Sequence, residues 1–327
     1  MAPRTLRTAS SRRARRTAAL LPALLLASLA LPGCSSGTGG SDDGRLDVVA
    51  SFYPLQYVTE RLGGDRVRVV NLTRPGAEPH DLELSPRDTA ALADADLSVY
   101  LKGFQPAVDD AVAAQAGDKA LDVTAAARLD LRLDEHGEEG EHDGAGHEAG
   151  LEAAGTDPHF WLDPTRLRAV AGVVRDGLIA ADPEIRSVVE ANDAALAEDL
   201  DDLDTAFRDG LSRCASKDLV TSHTAFGYLA ARYGLTQLGI AGLSPEAEPD
   251  AATQARVADF VREHRVGTIY YETLVSPDVA RTVARETGAR TAVLDPIEGL
   301  GDASAARDYL GLMRANLAAL KAGQSCP

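Results

Sequence analysis

Three histidines spaced six and five residues apart, His136, His142 and His147, stand in the stretch HGEEGEHDGAGH among Glu138, Glu139, Glu141 and Asp143. Imidazoles and carboxylates are ligands for divalent cations, and here they sit on a chain of Gly, Ala and acids that cannot build a core. Ordering such a segment costs about 1–2 kcal/mol per residue in backbone entropy, so a site made from it alone is weak and takes several ions. Four other histidines complete the chain's seven: His80, His159, His223 and His264. His80 lies in PGAEPHDLELSP, His159 in TDPHFWLDP, and His223 closes DLVTSH; Asp295 closes AVLDP. Three imidazoles and one carboxylate suit a tetrahedral Zn²⁺, leaving the ion a net charge of about +1. Mn²⁺ prefers more oxygen ligands and binds less tightly, whereas Cu²⁺ and Ni²⁺ would also bind such a set.

The elements that must position these residues alternate short β-rich runs with helix-length segments. Strands are expected at LDVVASF (46–52), VRVVNLT (67–73), LSVYLKG (97–103) and KALDVTA, with helices between them. A second series follows, with strands DLVTSH (218–223), LTQLGI, TIYYET (268–273) and TAVLDP (291–296). This alternation predicts parallel βα units whose strand C-termini share one edge, which is where ligands bind in open α/β sheets. His80, His223 and Asp295 fall at or just beyond such ends, and His159 enters the helices that follow the His-rich insert. His264, in VREHRVGT at the end of a helix, is read instead as a cation favoured by the helix dipole. Between the two series, Leu167, Val170, Ala171, Val174 and Leu178 recur at helical spacing within 164–181. Ile185, Val188, Val189, Leu196, Leu200, Leu203, Phe207 and Leu211 do the same within 184–213. The expected fold class is α/β: two lobes, each with a mostly parallel four-stranded sheet flanked by helices, joined by a long rigid linker helix.

Composition places the chain outside the cytoplasm. Arg4, Arg7, Arg12, Arg13, Arg15 and Arg16 precede the apolar run AALLPALLLASLAL, too short for a membrane span and read as an export signal. The run ends at Leu31-Pro-Gly-Cys34 and leads into SSGTGGSDDG, which resembles the lipobox of a bacterial lipoprotein. Cleavage would leave Cys34 lipidated at the N-terminus, anchoring the protein to the membrane; the arginine pairs also suit a twin-arginine route. Losing six arginines takes the formal net charge of −17 to −23, which repels nucleic acid and concentrates cations. Cys214 and Cys326 suit a disulfide in an exported protein, two free thiols being the alternative. The expected segments are a signal at 1–33, a tether at 34–45, a first lobe at 46–163 with the His/acidic loop at 134–156, linker helices at 164–213, and a second lobe at 214–327.

PGAEPHDLELSP, DPHFWLDP, TSHTAFGYLA, GLSPEAEPD, YYETLVSP and LDPIEGL run in an order that resembles the zinc-uptake branch of the solute-binding lipoproteins of metal-ion ABC importers. The resemblance implies one metal ion in the cleft between the lobes, ligated by His80, His159, His223 and Asp295. It also implies a monomeric, non-enzymatic receptor that hands Zn²⁺ to the importer's permease subunit; His136, His142 and His147, by the entropy cost given above, are read as low-affinity accessories. The manganese branch tends to carry Glu where His223 stands, so zinc is favoured over a manganese or general divalent receptor. Glu78, Asp157, Asp163 and Glu272 are candidates to hydrogen-bond the ligating imidazoles. Trp161, the single tryptophan, is expected to pack beside the site. Other readings are an extracellular zinc hydrolase with Glu78 or Glu272 as general base, and an adhesin-like surface protein.

Overall fold

The computed structural model describes residues 44–132, 155–246 and 249–327. The export signal, Cys34, most of the tether and His136, His142 and His147 lie outside the described residues. The first series runs β1 (Leu46–Ala50), α1 (Tyr53–Gly63), β2 (Val67–Asn71), α2 (Pro86–Asp94), β3 (Leu97–Tyr100), α3 (Pro106–Gln115), β4 (Ala120–Asp122) and α4 (Thr124–Ala127). Two long helices follow, α5 (Pro164–Ala181) and α6 (Arg186–Leu211). The second series is β5 (Asp218–Thr221), α7 (Gly227–Tyr233), β6 (Thr236–Gly239), α8 (Ala251–His264), β7 (Thr268–Tyr271), α9 (Asp278–Thr287), β8 (Arg290–Val293) and α10 (Tyr309–Gly323).

Both sheets are four-stranded and parallel, in the orders β2-β1-β3-β4 and β6-β5-β7-β8. The chain therefore reverses its direction of advance beside the second strand of each sheet, opening a crevice at the strand C-termini. The strands stop one to three residues before the runs expected from sequence do. Phe52, Leu72 and Leu101 are buried beyond the ends of β1, β2 and β3, so burial in the core keeps these runs apolar past the paired strands.

Helix ends are fixed locally. Ser85 and Asp88 form a reciprocal capping box at α2, and Asp163, Asp250 and Asp308 cap α5, α8 and α10. The outer face of each sheet carries its own small core, around Leu72, Leu92 and Val112 in one lobe and Val220, Val261 and Ile269 in the other. The inner faces share a single larger one. It runs from Val48 and Leu55 through Trp161, Leu167 and Leu200 to Tyr228, Tyr309 and Met313. Helix α6 supplies its backbone, packing against α1, α5 and α10. At 26 residues it is about 39 Å long, enough to traverse the domain. Cys214, just past α6, is disulfide-bonded to Cys326 after α10. No helix among the described residues is long and apolar enough to cross a membrane.

Candidate metal centre

Three of the histidines singled out from sequence converge. His80 arrives on the loop after β2, His159 just ahead of the 3₁₀ turn that precedes α5, and His223 two residues past β5. Their fourth companion is Glu298, and the four donor atoms lie within 4.8 Å of one another. His159 Nε2 is 2.9 Å from Glu298 Oε1 and 3.3 Å from His80 Nε2. His80 Nε2 and His223 Nε2 stand 3.3 and 3.4 Å from the same carboxylate oxygen. Donors bound at 2.0–2.1 Å around a tetrahedral Zn²⁺ would be roughly 3.3–3.4 Å apart, so three of these four separations match tetrahedron edges and the His159–Glu298 contact is shorter. His223 Nε2 and Glu298 Oε2 are buried without a hydrogen-bond partner, the condition of donors facing a cation. The residues fit a divalent metal.

Asp295 is not in this group. One carboxylate oxygen accepts the Ile297 N–H at 2.8 Å and the other the Thr273 hydroxyl at 3.3 Å. Its main-chain N–H donates to Asn316 Oδ1 at 2.9 Å, and its carbonyl accepts from Asn316 Nδ2 at 2.6 Å. The bend this creates holds Ile297 at φ 59°, a left-handed conformation costly for a β-branched residue, and delivers Glu298 to the histidines. Asp295 thus builds the turn, and the acid three residues later reaches the cleft. Proximity to the strand end favoured Asp295 in sequence. The signal for Glu298 was an acid enclosed by the apolar and small residues of Pro-Ile-Glu-Gly-Leu, a context that implies burial.

The imidazoles are oriented from behind. His159 Nδ1 is 2.7 Å from Asp157 Oδ1, which also accepts the His159 main-chain N–H at 2.8 Å. His223 Nδ1 is 2.7 Å from Glu272 Oε1, and the Ser222 hydroxyl donates to the same oxygen. These bonds fix Nε2 toward the centre. Glu78 accepts the His80 main-chain N–H at 2.9 Å. Asp163, the remaining candidate, instead caps α5 and pairs with Arg166. Gly239 lets the His223 loop approach β6, because a Cβ there would lie 2.1 Å from Thr224 Oγ1 and 2.6 Å from the Ala241 carbonyl. Trp161 is fully buried, its ring edge-on to His159 at 5.2 Å and its Nε1 donating to the Pro296 carbonyl at 2.7 Å. It therefore ties the His159 segment to the turn that presents Glu298. His264 lies elsewhere, stacked on Phe260 and 3.1 Å from Asp218.

The electrostatics follow from burial and from Glu298. Burial lowers the His80 pKa, only partly opposed by Glu298. Burial acts the same way on His159 and His223, but Asp157 and Glu298 outweigh it at His159, and Glu272 with Glu298 pushes His223 up to about 10. Burial tends to raise Glu298, yet the three imidazole partners hold it well below the usual carboxylate range. Desolvation, with repulsion from Glu298, raises Glu78 to about 7. Asp295 rises to about 6, chiefly through desolvation. Without a cation the raised His223 imidazole offsets the charge of Glu298 with a proton, which an incoming metal must displace.

Beside His80 lies a cavity of about 120 Å³, also bordered by Phe104, Pro158, Leu243 and Thr156. Thr156 forms an antiparallel bridge with Arg132, so the chain leaves for the His/acidic insert and returns from it at this mouth.

A family model described as "Zinc-uptake complex component A periplasmic" (ZnuA) matches residues 48–323. The chain belongs to the ZnuA family. It is 39% identical to the zinc-binding lipoprotein AdcA of Streptococcus pneumoniae over 317 residues, 91% of this chain and 60% of AdcA. The chain thus spans less than two thirds of that relative. It is 36% identical to the high-affinity zinc uptake system protein ZnuA of Bacillus subtilis, covering 88% of this chain and 91% of the relative. The crystal structure of the Zn(II)-bound ZnuA-like domain of S. pneumoniae AdcA superposes with a TM-score of 0.69 at 34% identity, covering 86% of this chain and 99% of that one.

Proposed function

We propose that this ZnuA-family chain is an extracytoplasmic receptor that captures Zn²⁺ and delivers it to the permease subunit of an ABC importer. The observation that carries the reading is the N₃O group of His80, His159, His223 and Glu298, with four of its six donor separations at 2.9–3.4 Å and all of them within 4.8 Å, buried between the two sheets. Zinc is the cargo. Glu298 completes four protein donors, leaving no tetrahedral corner for a catalytic water, which supports binding without chemistry. The ZnuA of B. subtilis, named for high-affinity zinc uptake, matches over most of both chains and supports the transport role. Attachment through a lipidated Cys34 and a monomeric state belong to this reading. So does a collecting role for His136, His142 and His147, whose insert starts and ends at the mouth beside His80.

Competition titration of Zn²⁺ against Mn²⁺ on metal-stripped protein tests the proposal. One tight zinc equivalent, bound in preference to manganese, is expected. Tighter manganese binding would sink the zinc assignment.

A further inference from the structure

The metal-binding turns share a feature that lies behind the donors and their carboxylate partners. Each turn after a strand is gripped by a buried, uncharged carboxamide that donates to a main-chain carbonyl. Gln105 donates through Nε2 to the carbonyl of Pro79, the residue before His80, at 3.1 Å. Gln237 donates to the carbonyl of His223 at 3.3 Å. Asn316, on α10, donates to the carbonyl of Asp295 at 2.6 Å and accepts its N–H, which fixes the turn that presents Glu298. All three side chains belong to buried residues.

The two glutamines work alike in the two lobes, although they occupy different sequence positions. Gln105 also donates to the Thr73 hydroxyl, which donates to the Ser51 carbonyl at the end of β1. Gln237 also donates to the Thr221 hydroxyl at 2.9 Å, and that hydroxyl donates to the His223 carbonyl at 2.6 Å. In each lobe the histidine-bearing turn is thereby tied to the adjoining strand end through a threonine.

We infer that Gln105, Gln237 and Asn316 are positioning residues for the metal centre, holding the backbone of the His80, His223 and Glu298 turns at tetrahedral spacing before the ion arrives. A carboxamide suits the task because it offers a strong donor with no charge. A lysine or arginine so near would repel the cation, and a carboxylate would compete for it. It also has no proton to lose, so the backbone geometry does not drift with pH. Gln237 gives a sign that function rather than stability keeps it: its Oε1 is buried without a partner, a standing cost that an apolar side chain of similar size would avoid.

The inference rests on the zinc-receptor reading, and the experiment separates the two. Gln105→Met, Gln237→Met and Asn316→Leu are made in the full chain, with Gln324→Met as control. Gln324 is also a buried carboxamide on a main-chain carbonyl, that of Asp218 at 2.8 Å, but it lies behind β5 away from the centre. Zinc affinity is measured against a chelator, zinc-over-manganese preference by competition, and stability from the melting of metal-stripped protein. The expected result is a loss of about 10–100-fold in zinc affinity and a narrowed preference over manganese in the first three. Gln237→Met should melt no lower than the parent, and Gln324→Met should bind zinc as the parent does. Undiminished affinity in Gln105→Met and Gln237→Met, with the fold intact, would overturn the inference while leaving the receptor reading standing. So would loss of the fold in both, which would assign them to the core. Failure of the parent itself to bind zinc would instead overturn the receptor reading.

Discussion

At the scale of single residues, the decisive pair is Asp295 and Glu298. Removing a donor from a four-ligand centre costs far more than loosening the turn beneath it. Glu298→Ala should weaken zinc binding by several orders of magnitude, whereas Asp295→Asn, which keeps an oxygen for the Ile297 N–H, should cost at most about 10–100-fold. Isothermal competition against a chelator distinguishes them, and the reverse ranking would restore Asp295 as the ligand. Proton linkage supplies a second prediction. Asp295 and Glu78 titrate near 6 and 7 in the fold, above their ordinary values near 4, so the metal-free fold binds more protons than the unfolded chain in that window. Their contribution therefore falls as pH rises from about 4 to 7. His223, raised to about 10, adds stability that is complete below about 6.5 and lost as pH rises toward 10. Metal-free protein should thus melt highest in mild acid. Zinc affinity should run the other way, dropping at least about tenfold per unit from pH 7.5 to 5.5 as displaced protons compete. Melting curves that show metal-free and zinc-loaded protein sharing one pH optimum would contradict this linkage.

At the scale of elements, α6 and α7 are joined through Asp204. It accepts from Arg232 Nε at 2.9 Å and from the Tyr233 hydroxyl at 3.1 Å, and it is paired with Arg208. Burial alone would raise its pKa; these donors hold it below the usual value. A depressed carboxylate contributes stability above the unfolded value near 3.9 and loses it as pH falls through the folded one. Asp204→Asn should therefore destabilise by roughly 1–3 kcal/mol at pH 7, with the difference closing below pH 4. Denaturant titration at the two pH values measures it, and zinc affinity should not change. The elements themselves were largely legible. The apolar spacing of Leu167, Val170, Val174 and Leu178 corresponds to α5, and that of Leu196, Leu200, Leu203 and Phe207 to α6, because one face of each is buried in the shared core. Strand C-termini were overrun, since burial and β-pairing leave the same apolar signature over a few residues.

At the scale of the whole molecule, the inner core is continuous from one lobe to the other. Tyr57 of α1 packs on Tyr309 of α10 at 5.3 Å, and Trp161 bonds to Pro296 across the cleft. A wide rotation would have to open that core, so crystal forms with and without zinc should differ by small adjustments of the His80 and Glu298 turns. A large hinge angle between them would refute this. The Cys214–Cys326 bond closes a loop of 112 residues, worth about 4–5 kcal/mol in the chain-entropy model. Cys214→Ser with Cys326→Ser should lower the melting temperature while leaving zinc affinity within about threefold, because the bond lies past the C-terminal end of α10, ten residues beyond Asn316.

The sequence alone determined the βα alternation and the linker helices, and it singled out His80, His159 and His223, which converge in the fold, because periodicity and strand ends are local properties. It also pointed to Asp157 and Glu272, which stand close to the ligands or at a matching strand end. Which carboxylate joins the three histidines is decided only in three dimensions. Asp295 and Glu298 are equally acidic and three residues apart, and nothing local says which one faces the histidines. That choice depends on Thr273, Asn316 and the left-handed Ile297, which engage Asp295 and turn Glu298 inward. The same holds for HGEEGEHDGAGH. Its side chains bind cations by their chemistry, but a tetrahedron needs a folded frame to hold its corners, and the two sheets and α10 supply that frame elsewhere.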